Sequence, residues 1–462
     1  MINGKSNSKS NTRSGFKTPD GIEGQNVPLS EAASAGGGQT PSQKVSVSVC
    51  AAQRSYRTPY RLLKPLLWTG GNRMPIAEQM VKLVEGMEVV KEMFEEGARL
   101  KAEHGPDKVF DFSLGNPDVP PPPEFKKVLR ELVNDESLGH GYTPNPGHPR
   151  VRQALADYLS GEHHMKFTPE LIVMTVGAAG ALNNIFRALV DPGEEILVPS
   201  PYFVGYAHYA TMSNAVIKTA HTNEAFHLDV AAIQKAITEK TRVMLINSPN
   251  NPTGAVYSAT ELAELGVVLD KASKKFGKRI YLLADEPYCK ITYDVQVPSV
   301  YQAYAHTITV NSYSKSLSLA GERIGYLAVH PEAEDALLVV GAAAVSNTVL
   351  CVNPPSLVQL AIGNLQGVTV DISIYRRRRD ILCQGLEEIG YEFNVPEGAF
   401  YLFPRSPIAD DVKFAGILKE ELILAVPGVS FGAPGYFRLS YAVPDSTING
   451  SMEGFRRALQ KA

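Results

Sequence analysis

The chain has 462 residues, 44% of them hydrophobic, and its 45 Lys and Arg are balanced by 48 Asp and Glu for a formal net charge of -3. A near-neutral chain of ordinary apolar content gives no footing for a polyanion-binding or membrane-surface function. The longest strongly apolar stretch, Ala336 to Val345, is also far shorter than the roughly 20 residues a membrane-spanning helix needs.

Residues 1–73 differ in kind from the rest: they are rich in Ser, Asn, Gly, Thr and Gln, with Asp20, Glu23 and Glu31 the only acids among ten Lys and Arg. Such a segment is expected to be disordered. A basic, acid-poor leader resembles an organellar transit peptide, but Arg54 to Trp68 lack a clean amphipathic pattern, so Met74 as an alternative translation start is the preferred reading. From Met74 the texture turns globular, with Met80, Val81, Leu83, Val84, Met87, Val90 and Met93 forming one apolar helical face. The prolines of Val119-Pro-Pro-Pro-Pro-Glu124 exclude helix before Glu124 and suit a linker into one.

Between about 124 and 330, short apolar runs alternate with helical patterns. The predicted strands are Leu171 to Val176, Glu195 to Pro199, Val243 to Asn247, Tyr281 to Asp285, Thr307 to Asn311 and Gly325 to Val329. This alternation predicts an α/β fold with a mostly parallel sheet covered by helices. After Pro355 the pattern becomes a long helix over Ile372 to Ile389, then strand-like segments at Tyr391 to Asn394, Phe400 to Phe403 and Phe437 to Tyr441. The expected division is a large α/β/α domain over 124–365 and a smaller α+β domain of 75–123 with 366–462. Arg376 to Arg379 read as the solvated side of the long helix, and His163-His164 as a solvated pair rather than a metal site. The four cysteines, Cys50, Cys289, Cys351 and Cys383, lack the spacing of a zinc site or disulfide framework. They predict reduced thiols and the cytoplasm, with an organelle the alternative if residues 1–73 are a transit peptide.

Four segments carry chemistry. In Thr175-Val-Gly-Ala-Ala-Gly-Ala-Leu182 a strand runs through glycine into a helix, whose free N-terminal amides suit a phosphate, although close packing alone would also explain the small residues. Asn247-Ser-Pro-Asn-Asn-Pro-Thr-Gly254 turns the chain at a strand end, the edge where open α/β sheets bind ligands. Asp285 closes the strand Tyr281 to Ala284 ahead of Glu286-Pro287-Tyr288, as a functional carboxylate or a simple N-cap. Finally, Ser312-Tyr-Ser-Lys315-Ser-Leu-Ser-Leu-Ala-Gly-Glu-Arg323 sets one lysine among small and hydroxyl residues at a strand end. No Walker loop and no dinucleotide fingerprint follows a strand.

Taken together and in this order, the four segments resemble the fold-type I pyridoxal-phosphate enzymes, and within them the class I/II aminotransferases, over about residues 112 to 441. The resemblance implies pyridoxal 5'-phosphate as cofactor and Lys315 as the Schiff-base lysine, with Ser312, Arg323 and the Ala178 and Ala179 turn around its phosphate. It also implies that Asp285 pairs with the pyridinium nitrogen, that Asn251 and Tyr288 reach the phenolic oxygen, and that Phe203 stacks on the ring. Arg438, with Gly115 and Asn251 close by, would hold the substrate carboxylate. A homodimer follows from the same resemblance, because Tyr142 of Gly141-Tyr-Thr-Pro-Asn-Pro-Gly147 would reach the neighbouring subunit's phosphate.

The physics agrees with these roles. A buried carboxylate keeps the ring nitrogen protonated, neighbouring cations leave Lys315 an uncharged amine, and an arginine fork grips a carboxylate with two parallel hydrogen bonds. The expected activity is a two-stage transamination between an L-amino acid (aspartate, alanine or aromatic) and a 2-oxo acid such as 2-oxoglutarate. A lyase or decarboxylase on the same scaffold, and an aminotransferase-like regulator, are the alternatives. Residues 1–73 show no helix-turn-helix pattern for the latter. No nucleic-acid, membrane or metal partner is expected.

Overall fold

The computed structural model describes residues 76–462 except Met87, with no side chain described at residue 85 or at 88–94. The expectations for residues 1–73, Cys50, Met74 and Met87 lie outside that range, and Val90 and Met93 are among the residues whose side chains are not described. Within it, helices Glu78–Gly86 and Glu88–His104 lead to β1 (Phe110–Asp111), and helix Pro123–Val133 starts one residue before the expected Glu124.

The strands that follow are β2 (Ile172–Thr175), β3 (Glu195–Ser200), β4 (Val216–His221), β5 (Thr241–Asn247), β6 (Tyr281–Asp285), β7 (Thr307–Ser312) and β8 (Gly325–Val329). They form one seven-stranded sheet in the order β2-β8-β7-β6-β5-β3-β4. All neighbours pair in parallel except β8, which runs antiparallel to both β2 and β7. The fold is α/β with a mostly parallel sheet, as the alternation of patterns predicted. Strands β2, β6 and β8 are buried along their whole length, which is why they read as continuous apolar runs. The strand that sequence reading missed is β4: at the sheet edge, Val216-Ile-Lys-Thr-Ala-His221 is mostly exposed or half-buried and lacks the apolar signal.

Helix boundaries follow local chemistry. Ser258 and Glu261 form a reciprocal capping box at the start of helix Ala259–Phe276, and Gly277 closes it in the left-handed conformation. Helix Ile372–Ile389 opens on the Asp371 side chain and ends at Gly390, matching the predicted span. Around it lie β9 (Tyr401–Leu402), β10 (Ile423–Leu424), β11 (Val426–Pro427) and β12 (Phe437–Ser440); β11, β12 and β9 form a small antiparallel sheet, and β1 pairs with β10.

Two large apolar clusters result. One draws its residues from Phe125 to Leu365 and surrounds the seven-stranded sheet. The other, from Phe112 to Ala458, is built around Tyr375, Phe400, Phe414 and Phe437.

Three expectations are corrected. Tyr391 to Asn394 form no strand: Tyr391 instead turns inward against Phe414, Phe437 and Phe455 and donates to the Phe455 carbonyl at 2.9 Å. The arginine run is only half solvated, because Arg378 is buried between Asp118 and Asp445, and Arg379 lies over the Tyr293 ring. His163 is not solvated either. Its Nδ1 meets Ser299 Oγ at 2.8 Å, its ring packs edge-on against Tyr301, and burial lowers its pKa to about 4.

Candidate active site

The carboxyl ends of β5, β6 and β7 and the helix after β2 converge on one cavity of about 350 Å³, at the edge where open α/β sheets take their ligands. Every residue singled out from the sequence lines it except Tyr142, whose side chain is 94% exposed on this chain.

On one wall, helix Gly177–Leu189 presents Ala178 and Ala179 in its first turn, where backbone amides have no helical partner. Gly177 has φ 69°, and a Cβ there would stand 2.8 Å from Arg323 Nη2. Glycine thus suits both the left-handed backbone here and the close approach of the guanidinium to the helix start. Ser312, buried at the end of β7, and Ser314 complete this corner.

At the end of β6, Asp285 is almost fully buried. Its Oδ2 accepts a 2.6 Å hydrogen bond from the Tyr206 hydroxyl while Oδ1 has no partner. Burial pushes its carboxyl up to about 7, against the pull of Tyr206. The N-cap alternative fails, since no helix follows Asp285. Phe203 stands half-buried at the cavity wall, packed edge-on against Tyr206 at 5.5 Å.

The same cavity is lined by Lys315, whose Nζ donates to the Gly115 carbonyl at 2.5 Å. Burial first, then the charges of Arg438 and Arg323, lower its pKa to about 8, so a substantial neutral fraction exists near physiological pH. Arg438 on β12 donates to Asn251 Oδ1 at 3.0 Å and to the Ser113 carbonyl at 2.7 Å, while its Nε is left without a partner. Its guanidinium is sandwiched 4.7 Å from the Tyr401 ring and 4.8 Å from Phe431. Tyr288 and Tyr401 share a 2.8 Å hydroxyl contact. A Cβ on Gly115 would lie 2.0 Å from the Tyr401 oxygen, so that glycine is what lets the ring occupy the site.

Sequence reading missed Tyr206, Tyr401, Phe431 and Asn247, whose side chain donates to the Asp285 carbonyl and accepts from the Asn251 amide. Tyr206 had a findable signal: it stands in the same short segment as Phe203, three residues on, in the first turn of helix Gly205–Met212.

An anion-ready helix start beside Arg323, an acid with one free buried oxygen, a neutralisable lysine and an arginine fork form the donor set that a phosphate-bearing pyridinium aldehyde and a carboxylate substrate require. The comparison with known proteins agrees: residues 107–453 match the family model for Aminotransferase class I and II. The chain belongs to the class I and II aminotransferases.

Its relatives include an aspartate/prephenate aminotransferase of Thermus thermophilus, 36% identical over 360 residues covering 76% of this chain and 91% of that protein. A probable aspartate aminotransferase of Methanocaldococcus jannaschii is 32% identical over 350 residues, covering 74% and 91%. Among solved structures, an aminotransferase of Eubacterium rectale superposes with a TM-score of 0.82 at 39% identity, covering 84% of this chain and 99% of that one. This aminotransferase is a pyridoxal-phosphate-dependent transaminase acting on amino acids and 2-oxo acids.

Proposed function

We propose that Lys315 carries the cofactor and shuttles the proton, with the other cavity residues in the roles their chemistry suits. The single observation that carries this reading is the Lys315 amine itself. It is half-buried, lowered to about 8, and lines one cavity with Asp285, Arg323 and Arg438.

Pyridoxal phosphate, when bound, supplies an electron sink that stabilises negative charge developing at the substrate's α-carbon. Arg323, Ser312 and the Ala178 and Ala179 amides hold its phosphate. Asp285, kept in place by Tyr206, holds a proton on the ring nitrogen. Asn251 and Tyr288 hold the phenolic oxygen and Phe203 covers the ring face. Arg438 would grip the substrate α-carboxylate, with Gly115 and Asn251 beside it, and so hold the α-carbon in one orientation. Lys315 Nζ, neutral for part of the time near physiological pH, would take the proton from that carbon.

The exposure of Tyr142 supports a homodimer in which this phenol meets the phosphate held by a second copy. The two separate apolar clusters support a large domain over 124–365 and a small one of 75–123 with 366–462. Free Cys289, Cys351 and Cys383 support a cytoplasmic setting. The relatives' names favour aspartate as donor and a dicarboxylic 2-oxo acid as acceptor, with alanine and aromatic amino acids the alternatives.

The deciding experiment adds single amino acids to the cofactor-loaded protein without any oxo acid and follows the visible absorbance and the released products. Stoichiometric oxo-acid release, fastest with aspartate and lost in Lys315→Ala, is expected. Ammonia or carbon dioxide in its place would make the protein a lyase or decarboxylase.

A further inference from the structure

Successive side chains of a strand face opposite sides of its sheet. Where Asp285 faces the catalytic cavity, Glu286, whose amide continues the ladder by donating to the Val310 carbonyl at 2.9 Å, faces the other way. It lines a second cavity of about 540 Å³ that shares no wall residue with the first.

Glu286 is 7% exposed, and its carboxylate makes no hydrogen bond among the described residues. The other carboxylate of this cavity is already committed, because Glu162 pairs with Lys290 at 2.5 Å and the ammonium lies 5.3 Å from the Tyr158 ring. Asn311 Nδ2 is likewise spent on Cys289 Sγ at 3.4 Å, and the Tyr313 hydroxyl on Gln366. One buried carboxylate is thus left facing the cavity without a hydrogen-bond partner, the Lys290 charge that acts on it being already paired with Glu162.

An unpaired buried carboxylate is expensive, and burial together with the charge of Asp285 pushes the Glu286 carboxyl up to about 8, so at neutral pH the empty site holds a proton that a bound cation displaces. The rest of the wall includes Leu159, Val295, Val297, Pro298 and Leu365, which offer apolar surface to a carbon skeleton. No group of three His, Cys, Asp or Glu among the described residues is arranged to hold a metal ion.

We propose that this cavity is a second ligand site, taking a small organic cation whose guanidinium or ammonium head pairs with Glu286 while its apolar body lies against Val295, Val297 and Leu365. The cation supplies the direct partner that Lys290, held by Glu162, does not. A planar guanidinium does this best, since its two parallel donors match the carboxylate.

The test uses n-propylguanidinium chloride, which cannot condense with the cofactor aldehyde, titrated by calorimetry into the cofactor-loaded enzyme. Saturable binding of one equivalent per chain is expected, with none from sodium chloride at the same ionic strength. Glu286→Gln, which keeps shape and removes charge, should weaken binding at least tenfold. Val297→Trp, which fills the cavity and leaves the carboxylate untouched, should do the same and decides the matter if Glu286→Gln does not fold. Absence of saturable binding to the wild type, or binding that survives these substitutions, overturns the proposal.

Discussion

Replacing Asp285 by Asn keeps the shape at the end of β6 and a partner for the Tyr206 hydroxyl, and removes only the charge. In the cofactor-free protein the carboxyl is lifted from an ordinary 3.8 to about 7 by burial. A carboxyl raised in the folded state contributes stability that is fully present below its unfolded pKa and is lost as pH climbs through the folded one, so the loss falls between about pH 4 and pH 7. At about 1.36 kcal/mol per pKa unit, the burden on the wild-type protein is about 1.5 kcal/mol at pH 5 and about 4 kcal/mol at pH 8. The cofactor-free Asp285→Asn protein should therefore melt higher than wild type, with the gap widening over that interval to roughly 5–10 °C. With pyridoxal phosphate bound the order should reverse, because the ring nitrogen's positive charge needs the carboxylate, and cofactor affinity and turnover should both fall. Thermal denaturation at pH 5 and pH 8, with and without cofactor, reads all of this. Equal melting of the two cofactor-free proteins at pH 8, or a gap that does not grow from pH 5, would refute the reasoning.

Other outcomes follow from the same geometry. Attachment of the cofactor to Lys315 should accelerate as pH rises through about 8, since the neutral amine is the nucleophile; the appearance of visible absorbance in stopped flow measures it, and a flat profile from pH 6 to 9 would contradict the assignment. Arg438→Gln should raise the KM for amino acids by roughly 10- to 100-fold through loss of charge-assisted hydrogen bonds, while cofactor affinity, measured by dialysis, stays close to wild type. Gly115→Ala would set a methyl 2.0 Å from the Tyr401 oxygen, and should cost far more activity than Tyr401→Phe, which only removes the hydroxyl contact with Tyr288. Arg378→Met should destabilise the fold by roughly 1–2 kcal/mol, because it leaves Asp118 without a partner while partly exposed Asp445 keeps Arg377, whereas half-exposed Arg376→Met should cost under about 1 kcal/mol; urea unfolding separates the two.

Much of the site was legible because its chemistry is local. A strand running through Gly177 into small helical residues, the Asn-Pro turn at Asn251, the carboxylate closing β6 and the lysine among serines after β7 are each set by a few neighbouring residues. In an open parallel sheet such strand ends must share one edge. Order along the chain therefore brought Ala178, Ala179, Asn251, Asp285, Ser312 and Lys315 together before any coordinates. What packing alone decided are the contacts between distant segments: Tyr206 on Asp285 across 79 residues, Tyr401 on Tyr288 across 113, the Gly115 carbonyl on Lys315 across 200 and the Ser113 carbonyl on Arg438 across 325. No periodicity encodes such pairs, since they depend on how distant segments pack onto one another and not on spacing within any one of them. The same limit accounts for edge strand β4, whose half-exposed residues carry no alternation, for Arg378, drawn inward by two aspartates from other segments, and for Glu286, whose direction away from the catalytic cavity only the sheet could assign.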